Sequence, residues 1–234
     1  MKPVEHIQMS DYLVNIVRTS RKNSALLVVK QGDVSVRVSK NFPIKDIQKF
    51  IQKQHTWIIN KIEQQQQSLL AHKKHYVDGE QFDYLGKKYP LKITKDMACQ
   101  PRLHPTYLEI FLKDAQDKDK VRQTLLQWYE QQATQLICEK VQQYGKKIGV
   151  AHTSIRFRDY KSRWGACSNQ GALSFNWRLI MAPNFVIDYV VIHELCHLIH
   201  QNHAPAFWRE VERFMPEYET AKRWLKNHGN SLVV

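Results

Sequence analysis

The segment VIHELCHLIHQNHAPAFW, Val191 to Trp208, places four of the chain's 11 histidines within eleven positions, one of them beside a glutamate. His193 and His197 are four apart, so on a helix both imidazoles leave one face about a turn apart and can grip one metal ion. Glu194 lies between them in sequence. In an HExxH arrangement such a carboxylate stays off the metal and takes the proton of the attacking water. Catalytic zinc uses three protein ligands and keeps a fourth position open, so a third ligand is needed. His200 returns to the same helical face, but it stands roughly 10 Å along the axis from His193, too far for the rings to converge. His203 is better placed: the helix is expected to end around His200 to Asn202, and a chain turning back there brings His203 to the metal from outside. By chance HExxH is expected in about 2% of chains with this His and Glu content, so its setting in an apolar helical run and the further His raise it above coincidence.

Other polar groups nearby read differently. Cys196 lies between the two ligands but turns to the apolar side with Val191, Ile192 and Leu195, as a buried thiol. His72 to His75, HKKH, reads as a solvated helix end. Asp188, Glu210 or Glu212 could orient a ligand ring, and the sequence does not choose among them.

These residues need elements to position them. Pro183 and Asn184 open a helix through the histidines, and Pro205 and Pro216 stand where two further helices begin. Upstream, Ile155 and Phe157 alternate with Arg156 and Arg158, and WGACS and ALSFNW flank a turn at Asn169-Gln170-Gly171, giving three short strands in a small antiparallel sheet. Val121, Leu125, Trp128, Leu136, Val141, Tyr144 and Ile148 mark a long amphipathic helix closed by Gly149. The charged stretch Lys113 to Lys120 suggests a boundary, with a β-rich part over 1–114 and a metal-site part over 115–234. In the first part Val34, Val36 and Val38 alternate after a turn at Gln31-Gly32-Asp33, as in a hairpin or meander. Ile44, Ile47, Ile51, Ile58 and Ile62 then predict one helix from Pro43 to about Leu70, and Gly79, Gly86 and Pro90 punctuate a second antiparallel sheet. The fold class is α+β.

Composition narrows the function classes. A hydrophobic share of 43% with six Trp excludes a disordered chain. The longest apolar runs fall far short of the roughly 20 residues of a membrane span, so a cytoplasmic chain with no membrane partner is expected. Four widely spaced cysteines read as free thiols. The net charge of +13 divides into +8 for residues 1–114, from 19 Lys/Arg against 11 Asp/Glu, and +5 for the remainder, from 16 against 11. A surplus on both halves favours polyanions such as nucleotides or nucleic acid, or simply keeps the surface soluble.

The two segments RWGACSNQGALSFNWRLIMAP, Arg163 to Pro183, and VIHELCHLIHQNHAPAFW occur in order and close together. In this the chain resembles the YgjP-like metallopeptidase domain family, a zincin-like group similar to SprT-like and WLM domains. The likeness extends to the N-terminal RTSRKNSALLVV, and the one departure is Ala166 where serine is more usual. It implies a zincin-like C-terminal domain and a zinc-dependent hydrolase with one Zn2+ on His193, His197 and His203, and Glu194 as catalytic acid/base. In such folds a sheet edge beside the active-site helix can pair with an extended peptide. That gives Trp164 a substrate-binding role, against packing as core with Trp177. Arg163 and Arg178 are the cations available to steady an oxyanion.

Three functions follow. A metallopeptidase-type hydrolase leads, acting on peptide or protein. A nucleotide pyrophosphatase could use the same residues on phosphorus, drawn by the positive charge. A nucleic-acid-binding, DNA-associated metalloprotease would place phosphates on RTSRK (Arg18 to Lys22) and RFRDYKSR (Arg156 to Arg163).

Overall fold

The computed structural model describes residues 5–20, 25–30, 32–71, 73–96 and 99–234. Arg21 and Lys22 of the basic stretch, Gln31 of the expected turn and His72 of HKKH lie outside them. The chain divides into two compact units, Met1–Lys73 and Lys74–Val234.

The first unit holds β1 (Glu5–Gln8), β2 (Leu13–Thr19), β3 (Leu26–Lys30) and β4 (Asp33–Ser39), in the sheet order β1-β2-β4-β3, with alternating valines along β4. β4 lies parallel to β2, with Val14 opposite Val34 and Ile16 opposite Val36. β3 and β4 form the expected antiparallel hairpin, with Lys30 opposite Asp33, and the buried face is the one expected, but the parallel β2–β4 pairing rules out a continuous meander. Alternation specifies a face; it does not specify which strand lies alongside. The single helix expected from Pro43 is two, α1 (Ile44–Lys53) and α2 (His55–Ala71). The break is at Gln54, whose N–H is shared among carbonyls of the last turn of α1. Ile47, Ile51 and Ile58 keep one apolar stripe across it and are fully buried with the valines of the sheet.

The second unit starts with β5 (Gln81–Tyr84), β6 (Lys87–Thr94), β7 (Arg102–Leu103) and β8 (Leu108–Phe111), in the order β5-β6-β8-β7. β6 and β8 are parallel, so this sheet is mixed and not the antiparallel one expected. The boundary expected at residue 114 is also displaced. Leu91, Leu108 and Ile110 share one core with the helix that carries the histidines. At the β5–β6 turn the N–H groups of Leu85 and Gly86 donate to the carbonyls of Ile180 and Met181, at 2.9 and 3.0 Å. Gly86 has φ +77 there, and a Cβ on it would meet Pro183 Cγ at 2.7 Å, so the turn fits against the start of that helix only as glycine. A charged stretch suggests a boundary, but buried apolar surface decides where one falls.

α3 (Lys118–Ile148) begins at Asp117, whose carboxylate accepts from the Lys120 N–H, and ends at left-handed Gly149, as the spacing predicts. β9 (Ser154–Arg158), β10 (Gly165–Cys167) and β11 (Ala172–Asn176) follow in the order β10-β11-β9. β10 and β11 form the expected antiparallel hairpin, but β9 runs parallel to β11, so this sheet too is mixed. A 3-10 turn over Trp177–Met181 leads to α4 (Asn184–Cys196), α5 (Pro205–Phe214) and α6 (Tyr218–His228). Among the described residues no helix is long and apolar enough to cross a membrane, and the four cysteines are unpaired with one another.

Candidate metal centre

α4 is buried on most sides. Val186, Ile187, Val190, Val191, Leu195 and Cys196 sink into the core, and each such side chain contributes about 1.5–3 kcal/mol through the water it loses. That packing fixes the rotation of the helix, and with it the direction of His193 and Glu194. α4 ends at Cys196, a turn earlier than expected, and the backbone runs on in a turn through His197 to Ile199. There the His197 ring pairs its Nδ1 with the carbonyl of His200 at 3.0 Å. A donor at Nδ1 leaves Nε2 with its lone pair free for a metal. His200 thus serves the site with its backbone, and its ring is not part of the cluster.

Among the described residues, ligand atoms of His193, His197 and His203 lie within 4.8 Å of one another. The Nε2 atoms of His193 and His203 are 3.1 Å apart. Ligands at zinc–nitrogen distances of 2.0–2.1 Å in a tetrahedron lie about 3.3 Å apart, so this spacing suits one shared ion. Burial and the neighbouring imidazoles push the His193 pKa down to about 3, and burial also lowers that of His197. Both are neutral at pH 7, the state a metal requires. The residues fit a divalent cation.

His203, the exposed member, is held by rings. Its imidazole stacks on Trp208 with centroids 5.6 Å apart, Trp208 stacks on Tyr218 at 5.3 Å, and Lys222 Nζ lies 4.6 Å from the Trp208 centroid. Phe207 stacks on the His197 ring at 4.4 Å. Pro205 at the start of α5 sets this aromatic pair in place.

Glu194 is 5% exposed. Burial raises its carboxyl to about 8, against a smaller opposing effect of the Arg163 charge. A cavity of about 370 Å³ opens in front of it, lined among others by Trp164, Gly165, Tyr189, His193, Lys222 and Lys226. Trp164 packs on the core, with its indole against Gly229, as the second alternative has it, and it also lines this cavity. Trp177 is core alone, 2% exposed.

Arg178 is elsewhere engaged. It makes a two-pronged ion pair with Asp159 at 2.7 and 3.0 Å, reaches the Leu232 carbonyl, and is not among the residues lining the cavity. Arg18 of the basic N-terminal stretch likewise binds Glu5 and the carbonyls of Lys40 and Phe42. Of the acids that could have oriented a ligand, Asp188 pairs with Lys140 at 2.6 Å and Glu210 with Arg213 at 3.6 Å. Cys196 is buried as expected, its thiol pushed up to about 12. Sequence reasoning missed Tyr189, Lys222 and Lys226. Lys222 and Lys226 are one turn apart on α6, a spacing visible in the sequence, but nothing there says that α6 packs beside α4.

Solved structures are similar to part of the chain. The metallopeptidase zymogen of Pyrococcus abyssi abylysin is 22% identical, with 39% of this chain and 93% of that one covered at a TM-score of 0.36. The metallopeptidase zymogen of Methanocaldococcus jannaschii jannalysin is 19% identical, with 39% and 94% covered at 0.34. No curated protein matches the chain. The YgjP-like, metallopeptidase domain family matches residues 22–228, across both compact units. The chain, with its three converging imidazoles, belongs to the YgjP-like metallopeptidase domain family.

Proposed function

We propose that the chain is a zinc-dependent hydrolase of peptide bonds in which His193, His197 and His203 hold the ion and Glu194 is the general base. The observation that carries this reading is the convergence of the three imidazoles at 4.8 Å or less beside a buried glutamate that faces a cavity. When bound, a divalent ion supplies Lewis acidity, acidifying water and drawing electron density from the scissile carbonyl. Glu194 takes the proton of the attacking water and returns it to the leaving amine. Trp164 forms the wall along which substrate lies, and Arg163 brings positive charge to the oxyanion. Glu194→Gln tests the assignment: hydrolysis is lost while bound zinc, measured by metal analysis, stays at the wild-type level. Undiminished turnover removes Glu194 from the mechanism.

A second reading has its own support. Lys222 and Lys226 line the same cavity, and the Arg163 charge reaches Glu194. Three cations around one metal site suit a substrate with several negative charges, so the same residues acting on a nucleoside triphosphate would make a pyrophosphatase. A panel of nucleoside triphosphates run beside casein and peptide libraries separates the two. Pyrophosphate release without peptide cleavage selects the second.

A further inference from the structure

Gly165 stands at the start of β10, opposite Phe175 of β11. Its backbone φ is not in the left-handed region, so no turn requires glycine there. Glycine also weakens a strand, since it offers nothing to pack and more freedom to lose. What it provides is room. A Cβ built on Gly165 would stand 2.6 Å from both Cγ and Oε1 of Glu194 and 2.8 Å from Cδ. The end of a flexible side chain usually yields to such an intrusion; this one, 5% exposed, could yield by leaving its place for the cavity in front of it, which would carry the carboxylate away from the metal-binding cluster. Cys167, two residues along and on the same face of β10, also feels the Glu194 charge, which adds to the upward shift of its thiol. The strand therefore runs its side-chain-free position directly along the carboxylate.

We infer that Gly165 is a positioning residue: the space left by its missing side chain is the seat of the Glu194 carboxylate. The reading rests on Glu194 as the proton carrier, but the seat itself is testable without any turnover. In metal-loaded protein Gly165→Ala lowers the melting temperature when Glu194 is present. In the Glu194→Ala background the same substitution lowers it no further, because the atoms it strikes are gone. Turnover is then measured on whichever of casein and the nucleoside triphosphates the chain consumes. Gly165→Ala reduces kcat by at least about 10-fold, with KM within about twofold and zinc content unchanged, as a 1 Å displacement of a catalytic group can cost about 100-fold. An equal loss of melting temperature in both backgrounds overturns the seat. An unchanged kcat overturns its positioning role. Full activity of Glu194→Gln together with stability coupling would sink the general-base assignment and leave the seat standing, so the two failures are distinguishable.

Discussion

Glu109 and Glu194 are both buried in the larger unit, 8% and 5% exposed, and their carboxyl groups are driven in opposite directions. Glu109 on β8 accepts from the Thr94 hydroxyl at 2.7 Å, pairs with Lys92 Nζ at 3.1 Å and meets His104 Nε2 at 3.0 Å. Those partners, Thr94 foremost, hold it below the usual carboxylate range. Glu194 has burial acting on it first, and only the charge of an exposed arginine in opposition. The first arrangement stabilises a charge for the sake of the sheet. The second leaves a buried carboxyl with no hydrogen-bond donor among the described residues to hold its charge, as the proposed role of Glu194 as proton carrier requires of a group that must change its protonation state. The same contrast divides the proposed ligands, since His197 is fixed by a hydrogen bond to its own loop and His203 by stacked rings.

The largest effect is expected at Glu194. General acid–base catalysis is worth about 10²–10⁴-fold, so Glu194→Gln lowers kcat by that factor, while the melting temperature does not fall because a buried carboxyl is exchanged for a neutral amide of the same shape. Glu109→Gln has the reverse pattern: kcat is unchanged and the melting temperature drops, because Lys92 and His104 lose their anion. Calorimetry and steady-state kinetics on the two variants check this. If both variants lose activity alike, the distinction between a structural and a chemical glutamate fails.

How legible this was in the sequence follows from what each feature depends on. His193 and Glu194 lie on one helix and His197 caps it in helical conformation, so spacing alone puts them together, and His203 follows because the chain must turn back once the helix stops, although it stops a turn earlier than the spacing predicts. Gly149 and Pro205 were readable for the same reason, since caps and first turns are written in neighbouring residues. The parallel pairings of β2 with β4, β6 with β8 and β9 with β11 were not, because alternation fixes a face and leaves the neighbour open. Lys222 and Lys226 reach the cavity only through the packing of α6, and Arg178, chosen for its charge, was already paired with Asp159. Glu109 gave no signal at all: in the sequence it is a polar residue in a short strand, and its partners stand 5, 15 and 17 positions away.

The ring-held ligand gives a smaller effect than the base. Trp208→Leu removes the surface on which His203 stacks and against which Tyr218 and Lys222 pack. Loss of a group that orients a ligand typically costs about 10–100-fold in metal affinity. Zinc binding measured by competition with a chelator should weaken by that factor, with Trp208→Phe restoring most of it because a ring is restored. Equal zinc affinity in Trp208→Leu would mean that His203 needs no support from its neighbours.

The smallest effect is the pH dependence that Glu109 contributes. Its folded carboxyl lies below the unfolded value of about 4.3. The stabilisation is therefore fully present above that value and is lost as the pH falls through the lower folded one. The wild-type melting temperature should decline on acidification below about pH 4.3, and the decline should be shallower in Glu109→Gln, which has no proton to take up at this position. The gap between the two proteins, full above that value, closes from the wild-type side as the pH drops. Parallel curves would show that Thr94, Lys92 and His104 do not favour the ionised carboxylate, and the contrast with Glu194 would then rest on Glu194 alone.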